Sequence, residues 1–137
     1  MALADLAAGS RLYLDTNVWV YALEGYAAYA QPLRSLLQRV DAGDLLAVTS
    51  ELALGEALVK PFSEGKVELQ QLYLEALQSG GGLTVAPLTR TTLIEAATLR
   101  AQRPALKLPD AIHAATAIAT GCSHFLTNDR RFGDLPG

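Results

Sequence analysis

Four acidic residues, Asp15, Glu56, Asp110 and Asp129, stand where a carboxylate can do chemistry. Asp15 closes the apolar alternation of RLYLD, and Glu56 lies beside the apolar stripe of ELALGEALVK. Asp110 opens DAIHAATAIATG directly behind a proline, and Asp129 follows HFLTN. They are far apart in the chain, so no local motif joins them and only a fold can bring them to one place. The chemistry that needs such a set is phosphodiester hydrolysis. Carboxylate oxygens are the hard ligands that Mg²⁺ or Mn²⁺ prefer, and these ions keep waters. One such water can become the nucleophile while the ion offsets the phosphate charge. Carboxylates held close together also repel, so a metal-free site is expected to carry raised pKa values and to gain stability when a cation arrives.

Each acid also has a plainer role available. Asp15 can cap a helix, Asp110 can favour a helix dipole, Asp129 can tighten a turn and Glu56 can face water. It is their joint occurrence at the ends of predicted strands that favours a site. Glu51, in the first turn of the same helix as Glu56, is assigned the structural role. Asn17 and Thr127 carry side chains able to orient a carboxylate or a metal water. Arg130 and Arg131 flank the expected site and can contact a phosphate. His113, one turn after Asp110, is read as a packed or surface histidine. Trp19, Tyr21, Tyr26 and Tyr29 are read as core or a dimer face in preference to a base-stacking platform, and Cys122 as a small buried apolar residue.

The elements that must position these residues follow from the apolar pattern. Residues 11–15 read as a strand ending in Asp15, followed by a helix starting near Thr16 or Asn17. Residues 31–40 place Leu33, Leu36, Leu37 and Val40 at helical spacing. Residues 45–49 form a second strand, and Ser50 precedes a helix that Pro61 should end. Residues 63–78 read as a further helix, stopped by Gly80, Gly81 and Gly82, a flexible joint. A third strand over 83–85 precedes a helix over 89–103. Pro109 then opens another helix that Gly121 closes, and 124–127 is a fourth strand. This order implies an α/β fold: a mostly parallel central sheet of four or five short strands flanked by helices on both faces. In such sheets ligands bind at the carboxyl ends of the strands, near the switch point, which is where the four acids fall.

With 137 residues, half of them apolar and 18% charged, one domain over 1–137 is expected, with a real core. A single cysteine excludes an internal disulfide and a thiolate metal site, so the cytoplasm is the expected compartment. Residues 1–9 lack a basic leader region, and no run approaches the roughly 18 apolar residues of a membrane span. The net charge of −3 does not argue for nucleic acid. If four of the 14 acids are withdrawn to hold metal, however, the remaining surface is about neutral against 11 Lys and Arg. Binding would then rest on cations and a local patch.

LYLDTNVWVYAL, SELALGEALVKP and LPDAIHAATAIATGCSHFLTNDRRF resemble, in order and context, the PIN-domain pattern of bacterial VapC-type toxins over residues 12–132. The resemblance implies a PIN-like three-layer fold and a catalytic set of Asp15, Glu56, Asp110 and Asp129, with Asp15, Asp110 and Asp129 as metal ligands. It further implies an endoribonuclease dependent on Mg²⁺ (or Mn²⁺), the toxin of a type II toxin–antitoxin pair. Its expected partners are RNA as substrate, a second copy in a homodimer, and an antitoxin whose tail can cover the site. The pattern departs at Leu135, Pro136 and Gly137, where many relatives continue into a last edge strand. Two alternatives are weaker. A non-catalytic PIN-like binding module does not need the complete acidic set, and a receiver-type signalling domain needs adjacent acids after its first strand and a lysine on a later one. The lysines here are only Lys60, Lys66 and Lys107.

Overall fold

Strand β1 (Arg11–Leu14) is buried on both sides because its side chains alternate between two cores. Leu12 and Leu14 enter one core with Val18, Trp19, Leu33, Leu36, Leu45 and Tyr73, while Tyr13 meets Val48, Ala117 and Phe125 on the other face. The computed structural model describes residues 3–127. After β1 come α1 (Thr16–Leu23), α2 (Ala30–Asp41), β2 (Leu46–Ser50), α3 (Glu51–Ser63) and α4 (Val67–Ala76). The chain continues through β3 (Leu83–Ala86), α5 (Arg90–Gln102), α6 (Leu108–Ala119) and β4 (His124–Leu126). Residues 128–137, which include Asp129, Arg130 and Arg131, lie outside the described residues.

The four described strands form one sheet in the order β3-β2-β1-β4, and every pairing is parallel. A strand buried on both faces and joined by helical crossovers gives this arrangement. Helices α1 to α4 supply the first core. On the opposite face α6 packs Ala117 toward Tyr13, and α5 lies on α6 through Ala96 against Ala111 and Ala115. The α/β three-layer expectation therefore holds. The chain passes from β1 to β2 and β3 on one side, then returns to place β4 on the other side of β1. The switch point thus lies between β1 and β4, where Leu14 pairs with Leu126.

Three local readings are corrected. Pro61 does not end α3, which runs on to Ser63. A proline so near the end removes only one late intrahelical bond, and its ring is fully buried. Helix α4 begins at Val67, later than the pattern suggests, because Gly65 turns the chain with φ +67°. The glycines at 80–82 are a packed turn and not a flexible joint. Gly80 and Leu83 exchange backbone hydrogen bonds at 3.0 and 2.9 Å, and the Gly82 N–H donates to the Val40 carbonyl at 2.9 Å. Among the described residues no helix is long and apolar enough to cross a membrane.

Candidate active site

Asp15 follows β1 directly and caps α1, accepting from the Val18 N–H at 3.4 Å. Its strand end and the helix start are one feature, since a residue with extended backbone can close a strand and cap a helix together. Only 5% of Asp15 is exposed. Across the switch point, the Thr127 hydroxyl donates to Asp15 Oδ2 at 2.5 Å. Asn17 supports the same carboxylate through its backbone N–H, while its side chain is exposed. Helix α1 is fixed in turn by Trp19, whose Nε1 donates to Thr49 Oγ1 at 3.2 Å, and Thr49 donates to the Leu14 carbonyl at 2.8 Å. Trp19 is thus a core residue that sets the helix carrying Asp15.

Glu56 projects from the middle of α3 toward the same sheet edge. Its Oε1 accepts from Thr16 Oγ1 and from His113 Nε2, both at 2.7 Å. About a third of the Glu56 side chain stays exposed, whereas His113 is buried. On α6, Asp110 precedes His113 by three positions, so the two share a helix face. The Asp110 carboxylate also accepts from the Lys107 N–H at 3.1 Å, closing a capping box over a helix with proline in its first turn. The structure therefore joins Thr16 after β1, Glu56 on α3 and His113 on α6 in one hydrogen-bonded cluster, with Asp15 next to Thr16 in the chain and Asp110 one turn from His113. Asp129, Arg130 and Arg131 are outside the described residues.

A sequence model of the PIN domain matches residues 12–137. The chain belongs to the PIN-domain family. No curated protein matches it closely enough in sequence to count as a relative. Among solved structures, VapBC2 from Rickettsia felis, bound to a DNA fragment from its promoter, superposes with a TM-score of 0.70 at 22% identity, covering 92% of this chain and 93% of that one. VapC20 from Mycobacterium tuberculosis, a toxin that cleaves the sarcin–ricin loop, gives 0.66 at 19% identity over 90% and 91%. A toxin–antitoxin complex from Klebsiella pneumoniae gives 0.67 at 21% identity over 91% and 92%. At these identities the likeness is one of fold.

Within this PIN domain the two carboxylates of the cluster are tuned in opposite directions. Burial pushes Asp15 above the ordinary carboxylate range, and the bonds from Thr127 and Val18 offset only part of that. Burial also pushes Glu56 up, but the bonds from His113 and Thr16 outweigh it and hold Glu56 below its ordinary value. Burial thus disfavours the charged form of Asp15, and Glu56 is held as an ionised acceptor. As hard oxygen donors, Asp15 and Asp110 suit Mg²⁺ or Mn²⁺. Among the described residues no group of three His, Cys, Asp or Glu is close enough to hold an ion, and the third expected ligand, Asp129, falls outside them.

The sequence reading missed the part played by His113. The histidine is packed, one of the two roles expected of it, yet it touches Glu56 and so belongs to the cluster. Its spacing from Asp110 was the available signal. Tyr26 and Tyr29 are exposed and pack against Tyr21 with ring centroids 4.9 Å away in each case. A groove of about 730 Å³ lined by Trp19, Leu23, Leu37, Leu72 and Leu83 includes none of Asp15, Glu56 and Asp110, the candidate acids among the described residues. Concavity alone therefore does not locate the chemistry.

Proposed function

We propose that this PIN domain is a divalent-metal-dependent endoribonuclease, the toxin of a type II toxin–antitoxin pair acting in the cytoplasm. The observation that carries the reading is the arrangement at the carboxyl edge of β1, where the buried Asp15, its pKa raised, is followed by Thr16, whose hydroxyl donates to an ionised Glu56. Asp15, Asp110 and Asp129 would hold Mg²⁺ or Mn²⁺, which when bound would neutralise charge on the phosphodiester. Glu56 accepts a proton from the attacking water. Thr127 and the Asn17 backbone hold Asp15 in place, and Arg130 and Arg131 contact phosphate oxygens. The fold shared with a toxin that cleaves the sarcin–ricin loop, and with toxin–antitoxin complexes, supports RNA as substrate and an antitoxin as partner. A homodimer is the expected assembly.

The test is cleavage of a mixed pool of structured and single-stranded RNA by the purified protein with Mg²⁺, with Mn²⁺ and with chelator. Cleavage is expected with metal and not with chelator, and Asp15→Asn should reduce it by about a thousandfold, the loss of roughly 4 kcal/mol of transition-state stabilisation. Folded protein that cuts nothing under either metal would leave a PIN domain used only for binding.

A further inference from the structure

We infer that His113 is a positioning residue for Glu56, its ring fixed as the Nε2–H tautomer by a one-way chain of hydrogen bonds running Tyr13, His113, Glu56. The inference deepens the nuclease reading and rests on it for its activity arm. Each link has a defined donor. The Tyr13 O–H lies 2.5 Å from His113 Nδ1 and donates to it. Nδ1 must then be bare, so the ring hydrogen sits on Nε2 and is given to Glu56 Oε1 at 2.7 Å. A carboxylate can only accept, which closes the chain in the same direction.

The chain is anchored as well as ordered. The Tyr13 ring is stacked on Phe125 of β4 with centroids 5.0 Å apart, and it meets the His113 ring edge-on at 5.6 Å. Tyr13 is fully buried and His113 is 4% exposed, so neither ring can turn without breaking packing. Both bonds to Glu56 fall on Oε1, from His113 and from Thr16. Oε2 thus keeps its acceptor capacity among the described residues. A carboxylate tethered by one oxygen is aimed, whereas an untethered glutamate in mid-helix would sample its rotamers and lose that orientation.

The test has two readouts. Nitrogen NMR of the imidazoles, assigned with His124→Gln because the chain has two histidines, should show His113 with a protonated Nε2 and a bare Nδ1 in the wild-type protein. Protonation on Nδ1, or a ring averaging both forms, overturns the inference and needs no variant to fold. In RNA cleavage, His113→Leu should slow kcat by about ten- to a hundredfold, while His113→Gln, whose amide N–H can reach the position of Nε2, should recover most of it. Equal losses in the two variants at matched thermal stability, or a wild-type rate for His113→Leu, would overturn the positioning role. A wild-type protein that cuts no RNA defeats the nuclease reading, and the tautomer still decides the hydrogen-bond chain.

Discussion

At the scale of single residues, Asp15 and Glu56 should give opposite signatures in the pH dependence of stability. Asp15 has a folded pKa raised by burial. Its favourable contribution is therefore complete below the ordinary carboxylate range and is lost as pH rises through the raised value. Glu56 is held low by His113 and Thr16 despite its burial. Its contribution is present above the ordinary range and is lost as pH falls through the depressed value. In chelator at neutral pH, Asp15→Asn should therefore melt above the wild type, and Glu56→Gln should melt below it. Melting temperatures between pH 3 and pH 8 (roughly the range over which ordinary and shifted carboxylates titrate) check both signs. A lower Tm for Asp15→Asn at neutral pH would mean that burial of its charge does not govern the site.

At the scale of elements, Asp110 caps helix α6 and is proposed to serve the site as well, and two substitutions separate the roles. Asn keeps an oxygen for the Lys107 N–H and Ala does not. Asp110→Ala should lose about 1 kcal/mol of stability, while Asp110→Asn should lose much less. Both should abolish metal-dependent cleavage. If Asp110→Asn cuts RNA normally, the carboxylate is a cap alone. The turn between α4 and β3 makes a second case. A Cβ on Gly82 would sit 2.3 Å from the Leu45 carbonyl oxygen and 2.7 Å from that of Val40. Both are backbone atoms that cannot swing aside, so Gly82→Ala should cost roughly 2–3 kcal/mol by urea unfolding. A cost within experimental error would show that this turn yields easily, as a flexible joint would.

For the molecule as a whole, the proposed metal binding should be linked to folding, because the site is built from segments that meet only in the folded state. A divalent ion at about a hundred times its Kd should stabilise the native protein by about 2.7 kcal/mol. Asp15→Asn should remove that gain, which a Tm titration with Mn²⁺ or Mg²⁺ reads directly. The proposed homodimer is tested at the same scale. Val59, Phe62 and Val67 are exposed around the α3–α4 corner, and Ile94 is exposed on α5. These apolar side chains suit a second copy, and sedimentation equilibrium at tens of micromolar (an on-the-order-of concentration for a stable homodimer) should give the mass of a dimer. A monomer mass there would remove the dimer from the proposed function.

What the sequence determined by itself was the sheet, its helices and the positions of Asp15, Glu56 and Asp110 along them. RLYLD alternates between two faces, Ser50 and Thr89 cap helices, and Pro109 opens one, and each of these acts over a few residues of local backbone. Local rules misjudged Pro61 and Gly82, because burial of a ring and close approach of a distant carbonyl depend on what packs nearby. The tertiary structure alone decided which side chains meet. That Thr127 reaches Asp15, that Thr16 reaches Glu56, and that Tyr13 and His113 join Glu56 to the core all follow from β4 returning beside β1 and α6 crossing the sheet. Such contacts span long separations in the chain. Their geometry is set by the packing of whole elements, which no short stretch of sequence records.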